Sequence, residues 1–129
     1  MIGHLLVPVL DAVEPASLSS TIVTGLLREQ WQYDGIIITD DLTMGALARP
    51  LPQAILAAIQ AGNDIALSKG SLPEVLAGQQ LVVQAVEQGA IPLQQINESV
   101  YRILVRKQQQ TLQDFSVQQW NNEMQSLLQ

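Results

Sequence analysis

Two adjacent carboxylates, Asp40 and Asp41, close the run Gly35-Ile36-Ile37-Ile38-Thr39. A continuous β-branched run with no alternation reads as a strand buried on both faces, as in a parallel sheet under helices. Parallel α/β folds carry their chemistry at the carboxyl ends of such strands. A carboxylate placed there has two uses. It can attack an electrophilic carbon as a nucleophile, or it can accept backbone N–H groups and tie down the loop that follows. Neighbours on a strand face opposite sides, so Asp40 and Asp41 are expected to differ in role. Period two continues the Ile36–Ile38 face to Asp40 and gives Ile37, Thr39 and Asp41 the other.

The rest of the inventory is narrow. His4 is the only histidine and there is no cysteine, so the chain has neither a disulfide framework nor a thiolate site. One histidine and scattered carboxylates make no metal constellation, and no Gly-x-Gly-x-x-Gly or phosphate loop is present. His4 lies on the first apolar run, where it reads as a hydrogen-bonded core residue or lines a site. Met44, in the loop after Asp41, either lines a site or packs. Asp64 enters a later apolar run, at an end where residues serve stability. Arg28, Arg102 and Arg106 read as helix-surface charges, solvated or paired.

The elements that must position these residues follow from the pattern. Ile2 to Val9 is a first strand, interrupted by His4 and by Pro8. Asp11 to Ser20 is a loop, and Ser19 or Ser20 can cap a helix to about Gln30 with an Ile22, Val23, Leu26 and Leu27 stripe. A second helix covers roughly Pro52 to Ala61, with Gly62 suited to its C-terminal cap. A short strand spans Ile65 to Leu67. Ser71-Leu72-Pro73-Glu74 starts a helix that runs to about Gln88, with Val75, Leu76, Val82, Val83 and Val86 inward. Pro92 introduces another, with Ile96, Val100, Ile103 and Leu104 at helical spacing. Strand-helix alternation with short connections indicates parallel βαβ units in one domain, 1–129. A glutamine-rich tail, 108–129, has a weak amphipathic pattern through Trp120, Met124, Leu127 and Leu128.

Charge and composition restrict the partners. Six basic residues against twelve acidic ones give a net charge of -6, which argues against nucleic acid and anionic membrane surfaces. No apolar run approaches a membrane span, and no leader pattern is visible. A cytoplasmic location is the expectation.

Four motifs together carry a resemblance. Gly3 to Asp11 with Pro15 to Ser19, Tyr33 to Ala46, Ala61 to Leu67, and Ile96 to Leu104 resemble glycoside hydrolase family 3 in identity, order and spacing, across residues 1–107. The branch they resemble is its β-N-acetylhexosaminidases. That resemblance implies an α/β fold, here a partial (β/α)₈ TIM barrel: the last three βα units plus one or two C-terminal helices. It implies Asp40 as the nucleophile of a retaining glycosidase, with His4 and Met44 as candidate sugar contacts. It further implies no cofactor and no metal, and substrates containing N-acetylglucosamine, such as cell-wall muropeptide fragments. A whole barrel needs roughly 250 residues. The family's Lys-His-Phe-Pro-Gly-type segment and its Asp-x-His general acid/base loop are not among these 129 residues. The chain by itself is therefore expected to be inactive, and to pair as a homo-oligomer or with a complementary barrel half. The rival expectation is a non-catalytic half-barrel fragment.

Overall fold

The computed structural model describes residues 1–109. The tail helix expected through Trp120 and Met124 lies outside the described residues. Within them, a 3₁₀ turn (Ala16–Leu18) and a π-helix (Thr21–Gln30) are followed by α1 (Leu51–Ala61), α2 (Leu72–Glu87) and α3 (Leu93–Gln109).

The three expected strands are not formed as strands among the described residues. Each is reduced to isolated parallel bridges, Ile2 to Thr39 and Ile38 to Ile65. The order is nevertheless that of a parallel sheet, with the Ile36–Asp40 segment between the other two. Ile2 N–H donates to the Ile38 carbonyl and Asp40 N–H to the Ile2 carbonyl, both at 2.8 Å, while Thr39 N–H reaches the Ile65 carbonyl at 3.1 Å. The ladder stops because side chains take its backbone partners. Ile37 N–H donates to Asp64 Oδ2 at 2.7 Å, and Leu67 N–H donates to Thr39 Oγ1 at 3.0 Å. The first run ends early as well: at Pro8 it folds back, so that the N–H groups of Leu10 and Asp11 both reach the Val7 carbonyl.

Side-chain alternation along the central segment survives the loss of the ladder. Ile37 and Thr39 are fully buried, whereas Ile36, Ile38 and Asp40 are half-buried. Ile37 packs with Val23 and Ala61, and Ile2 and Leu27 close the cluster. The helix stripe expected over Ile37 is therefore the one that meets it, through Val23 and Leu27. A second cluster joins Leu18, Leu42, Leu51, Ala54, Ile55 and Ala58.

The helices obey their sequence signals unevenly. The segment expected as an α-helix to Gln30 is a π-helix that ends with Trp31 N–H on the Leu26 carbonyl, five residues back. Ser19 Oγ accepts Ile22 N–H at its start. α1 ends at Gly62, whose φ of 105° is left-handed, and Thr24 Oγ1 donates to the Ala61 carbonyl beside it. Glycine is required at 62 on two counts, since a Cβ there would also strike Thr24 Oγ1. α2 begins at Ser71, whose N–H and hydroxyl both donate to Glu74 Oε2. Those bonds, hydroxyl first, hold the Glu74 carboxyl below its ordinary value.

The inward stripe expected on α2 is corrected. Val75 and Val82 do pack against the core, but Leu76 and Val83 are each 48% exposed, and the fully buried positions are Gly78 and Ala85. α2 comes so close to α1 that a Cβ at residue 78 would lie 2.6 Å from Ile55 Cδ1, and large residues are left at the flanks. On α3 the four residues at helical spacing divide: Ile96 and Ile103 are half-buried, Val100 and Leu104 are exposed, and Ser99 is the buried residue. This helix docks through polar side chains. Gln95 Nε2 donates to the Ile59 carbonyl at 2.6 Å, and Arg102 reaches Asp64.

Candidate functional site around Asp40 and Asp41

Asp40 continues the half-buried Ile36–Ile38 face at the carboxyl end of the central segment. Its backbone N–H is held by the Ile2 carbonyl. Its Oδ1 accepts the N–H of Asp41 at 2.8 Å, and among the described residues no donor reaches Oδ2. A half-buried carboxylate with one oriented oxygen and one open oxygen is competent to attack an electrophile presented from that face.

Asp41 points the other way and is buried. Its Oδ1 accepts Thr43 N–H at 3.0 Å, Thr43 Oγ1–H at 2.7 Å and Lys69 N–H at 3.2 Å, and Lys69 Nζ stands 3.5 Å from Oδ2. The bonds from Thr43, backbone first, outweigh the effect of burial and lower the Asp41 carboxyl to about 2. Its acceptor sites are engaged in holding the loops after residues 40 and 67 together. Asp40 and Asp41 thus divide along the strand's alternation, one open and one structural.

His4 lies beside this loop and not over the open face. Nε2 is 2.9 Å from the Asp41 carbonyl and Nδ1 is 2.6 Å from Ser17 Oγ. Met44 is 47% exposed, and its backbone N–H donates to the Asp41 carbonyl at 3.0 Å. The structure therefore gathers His4, Asp40, Asp41 and Met44 at one end of the parallel segments. Among the described residues there is no group of three His, Cys, Asp or Glu side chains that could hold a metal ion.

At the opposite end Asp64 serves stability as expected, but sequence reasoning did not join it to Arg28 and Arg102. Asp64 has no exposed side-chain surface, and its two oxygens collect four donor groups. Arg28 Nη2 (2.6 Å) and Ile37 N–H (2.7 Å) reach Oδ2, while Arg102 Nε (2.9 Å) and Nη2 (2.8 Å) reach Oδ1. Arg28 Nη1 also donates to the Tyr33 and Gly35 carbonyls, both at 2.7 Å. Burial lowers the Arg28 guanidinium from its ordinary value, and the charge of Asp64 opposes that. A recess of about 400 Å³ beside this clamp is bounded by Thr24, Arg28, Gln95 and Arg102. Spacing alone offers no signal for the clamp, since the three residues are separated by 36 and 38 positions.

Comparison with known proteins places the chain in a family. The model of the glycosyl hydrolase family 3 N-terminal domain matches residues 1–105. Beta-hexosaminidase LpqI of Mycobacterium tuberculosis is 39% identical over 117 residues, which cover 83% of this chain and 29% of that protein. A beta-N-acetylglucosaminidase/beta-glucosidase of Cellulomonas fimi is 28% identical over 119 residues, covering 83% of this chain and 21% of that one. Among solved structures, a family 3 beta-N-acetylglucosaminidase from Paenibacillus sp. superposes with a TM-score of 0.73 at 35% identity, over 78% of this chain and 20% of the other. The M. tuberculosis LpqI structure gives 0.70 at 38% identity, over 78% of this chain and 31% of that one. The chain spans less than a third of the length of these relatives.

Proposed function

The chain belongs to glycosyl hydrolase family 3, and on that premise we propose that it supplies the nucleophile-bearing final portion of a (β/α)₈ catalytic barrel. The activity of the completed barrel is that of a retaining β-N-acetylhexosaminidase. The observation that carries this reading is the placement of Asp40: end of the central parallel segment, open face, one carboxylate oxygen oriented and one open.

Asp40 attacks the anomeric carbon as the bond to the departing oxygen breaks, forming a glycosyl-enzyme ester that water then hydrolyses. A retaining enzyme needs a general acid/base about 5–5.5 Å from its nucleophile. His4 does not fill that role, because both ring nitrogens are engaged elsewhere. The acid/base comes instead from the portion of the barrel that the family places before these motifs. The alternative, a fragment with no catalytic part, shares every structural feature except reactivity at Asp40.

Completion also requires a surface to receive it. Among the described residues no bridge pairs the outer sides of the Ile2 and Ile65–Leu67 segments, and Leu5, Val9 and Val13 are largely exposed next to the first of them. Unpaired edges beside apolar surface recruit another chain. The complementary barrel portion is the partner this reading requires, with a second copy of this chain as the competitor.

The test uses the chain alone and the chain assembled with the complementary portion of a family barrel. The chain alone is expected to leave an aryl N-acetylglucosaminide intact, because general acid catalysis alone contributes about 10²–10⁴-fold. The assembly is expected to turn it over, and Asp40→Asn to reduce that by more than about 10³-fold. A 5-fluoro glycosyl fluoride of N-acetylglucosamine should label the peptide that carries Asp40. Turnover that survives Asp40→Asn, or a label elsewhere, overturns the proposal.

A further inference from the structure

Every polar atom of the Asp41 residue is engaged, and the outcome of that engagement is the orientation of Asp40. The Asp41 N–H points at Asp40 Oδ1, its carboxylate is held by Thr43 and Lys69, and its carbonyl accepts Met44 N–H. The remaining contact to that carbonyl comes from His4, 37 residues away in the chain. A carbonyl only accepts, so His4 Nε2 carries a proton, and in the neutral ring Nδ1 is then the acceptor for the Ser17 hydroxyl at 2.6 Å. Ser17 is fully buried, and its own carbonyl accepts Asn63 Nδ2 at 2.9 Å. The ring is therefore anchored behind by Ser17 and sets a single donor on the Asp41–Leu42 peptide, which adjoins the Asp40–Asp41 peptide whose N–H meets Asp40 Oδ1.

We propose that His4 is a positioning residue for Asp40: its Nε2–H fixes the Asp41 carbonyl and, through the Asp41 backbone, the N–H that Asp40 accepts, and it does not contact the sugar. The inference rests on the reading of Asp40 as the nucleophile. Its physical basis is that near-attack geometry is steep, with a misplacement of about 1 Å costing about 10²-fold. A ring nitrogen that recognised a sugar hydroxyl would have to surrender either Ser17 or the Asp41 carbonyl.

Two measurements test it. In the assembled enzyme, His4→Ala is expected to slow labelling of Asp40 by the 5-fluoro glycosyl fluoride by about 10- to 100-fold. The inhibition constant for N-acetylglucosamine should stay within about twofold, and His4→Gln, which keeps an N–H donor facing the carbonyl, should recover most of the labelling rate. In the unmodified chain alone, ¹⁵N shifts of the ring should report the Nε2–H tautomer. Full turnover in Asp40→Asn overturns the proposed function, and this inference with it. Loss of turnover in Asp40→Asn alongside an unchanged labelling rate in His4→Ala overturns the inference alone. So does a raised inhibition constant with an unchanged labelling rate, which would make His4 a sugar contact, and so does an Nδ1–H tautomer.

Discussion

The two ends of the central segment solve the problem of a carboxylate in opposite ways. At the entry end, Asp64 is fully buried and is neutralised by two guanidinium groups drawn from the π-helix and from α3. At the exit end, Asp41 is held mainly by neutral donors, two N–H groups and a hydroxyl, with an 85% exposed Lys69 side chain as its only cation among the described residues. Asp40 beside it has one bond. Charge pairing in low dielectric ties elements together but leaves nothing reactive. Neutral donors order a loop and leave one oxygen of the neighbouring carboxylate open. The same residue type is therefore closed off at one end and, at Asp40, left with an open oxygen at the other.

The sharpest way to break this contrast is to remove Asp64. Asp64→Ala leaves Arg28 and Arg102 partly buried without their common partner, and removing one member of a buried ion pair costs about 3–5 kcal/mol. Urea denaturation followed by circular dichroism should show that loss. A destabilisation below about 1 kcal/mol would mean that the clamp does not hold the entry end.

Gly62→Ala comes next, because residue 62 sits at φ 105° against Thr24. A non-glycine residue held in such a region costs about 1–3 kcal/mol. An unchanged denaturation midpoint would show that the turn into Asn63-Asp64 can reshape without disturbing the clamp.

The exit end is probed by acid. The Asp41 carboxyl is lowered in the folded chain from an ordinary 3.8 to about 2. A group whose folded value is depressed contributes stability that is fully present above about pH 4 and is lost as pH falls through about 2. Asp41→Asn should therefore lie below the unmodified chain in stability at pH 5, and the gap should close between pH 4 and pH 2. A gap that is independent of pH would remove the carboxylate from the account of this loop.

The smallest stability effect is expected at Asp40. Asp40→Asn keeps an oxygen for the Asp41 N–H, and half-exposed substitutions of this kind fall within about 0.5 kcal/mol. Its effect on the assembled enzyme should instead be loss of turnover. A large stability loss at Asp40 would make it a second structural carboxylate and erase the difference between the two ends.

Much of this was legible in the chain itself, where the physics is local. Ser71 with Glu74 and the glycine after Ala61 announce helix ends through bonds made within a few residues. The alternation that buries Ile37 and Thr39 while opening Asp40 follows from period two alone. The family follows from motif identity and order. Tertiary structure decided the rest, because the deciding partners are distant in sequence. Arg28 and Arg102 look like surface charges until Asp64 stands between them. His4 reads as a hydrogen-bonded core residue, but only the fold names Ser17 and the Asp41 carbonyl as its partners. The apolar runs at Ile2, Ile36 and Ile65 carry strand propensity, yet Asp64 and Thr39 take the backbone donors that a ladder would need. Propensity is a property of neighbours along the chain, whereas the pairing of a donor is decided by whichever acceptor the fold brings within reach.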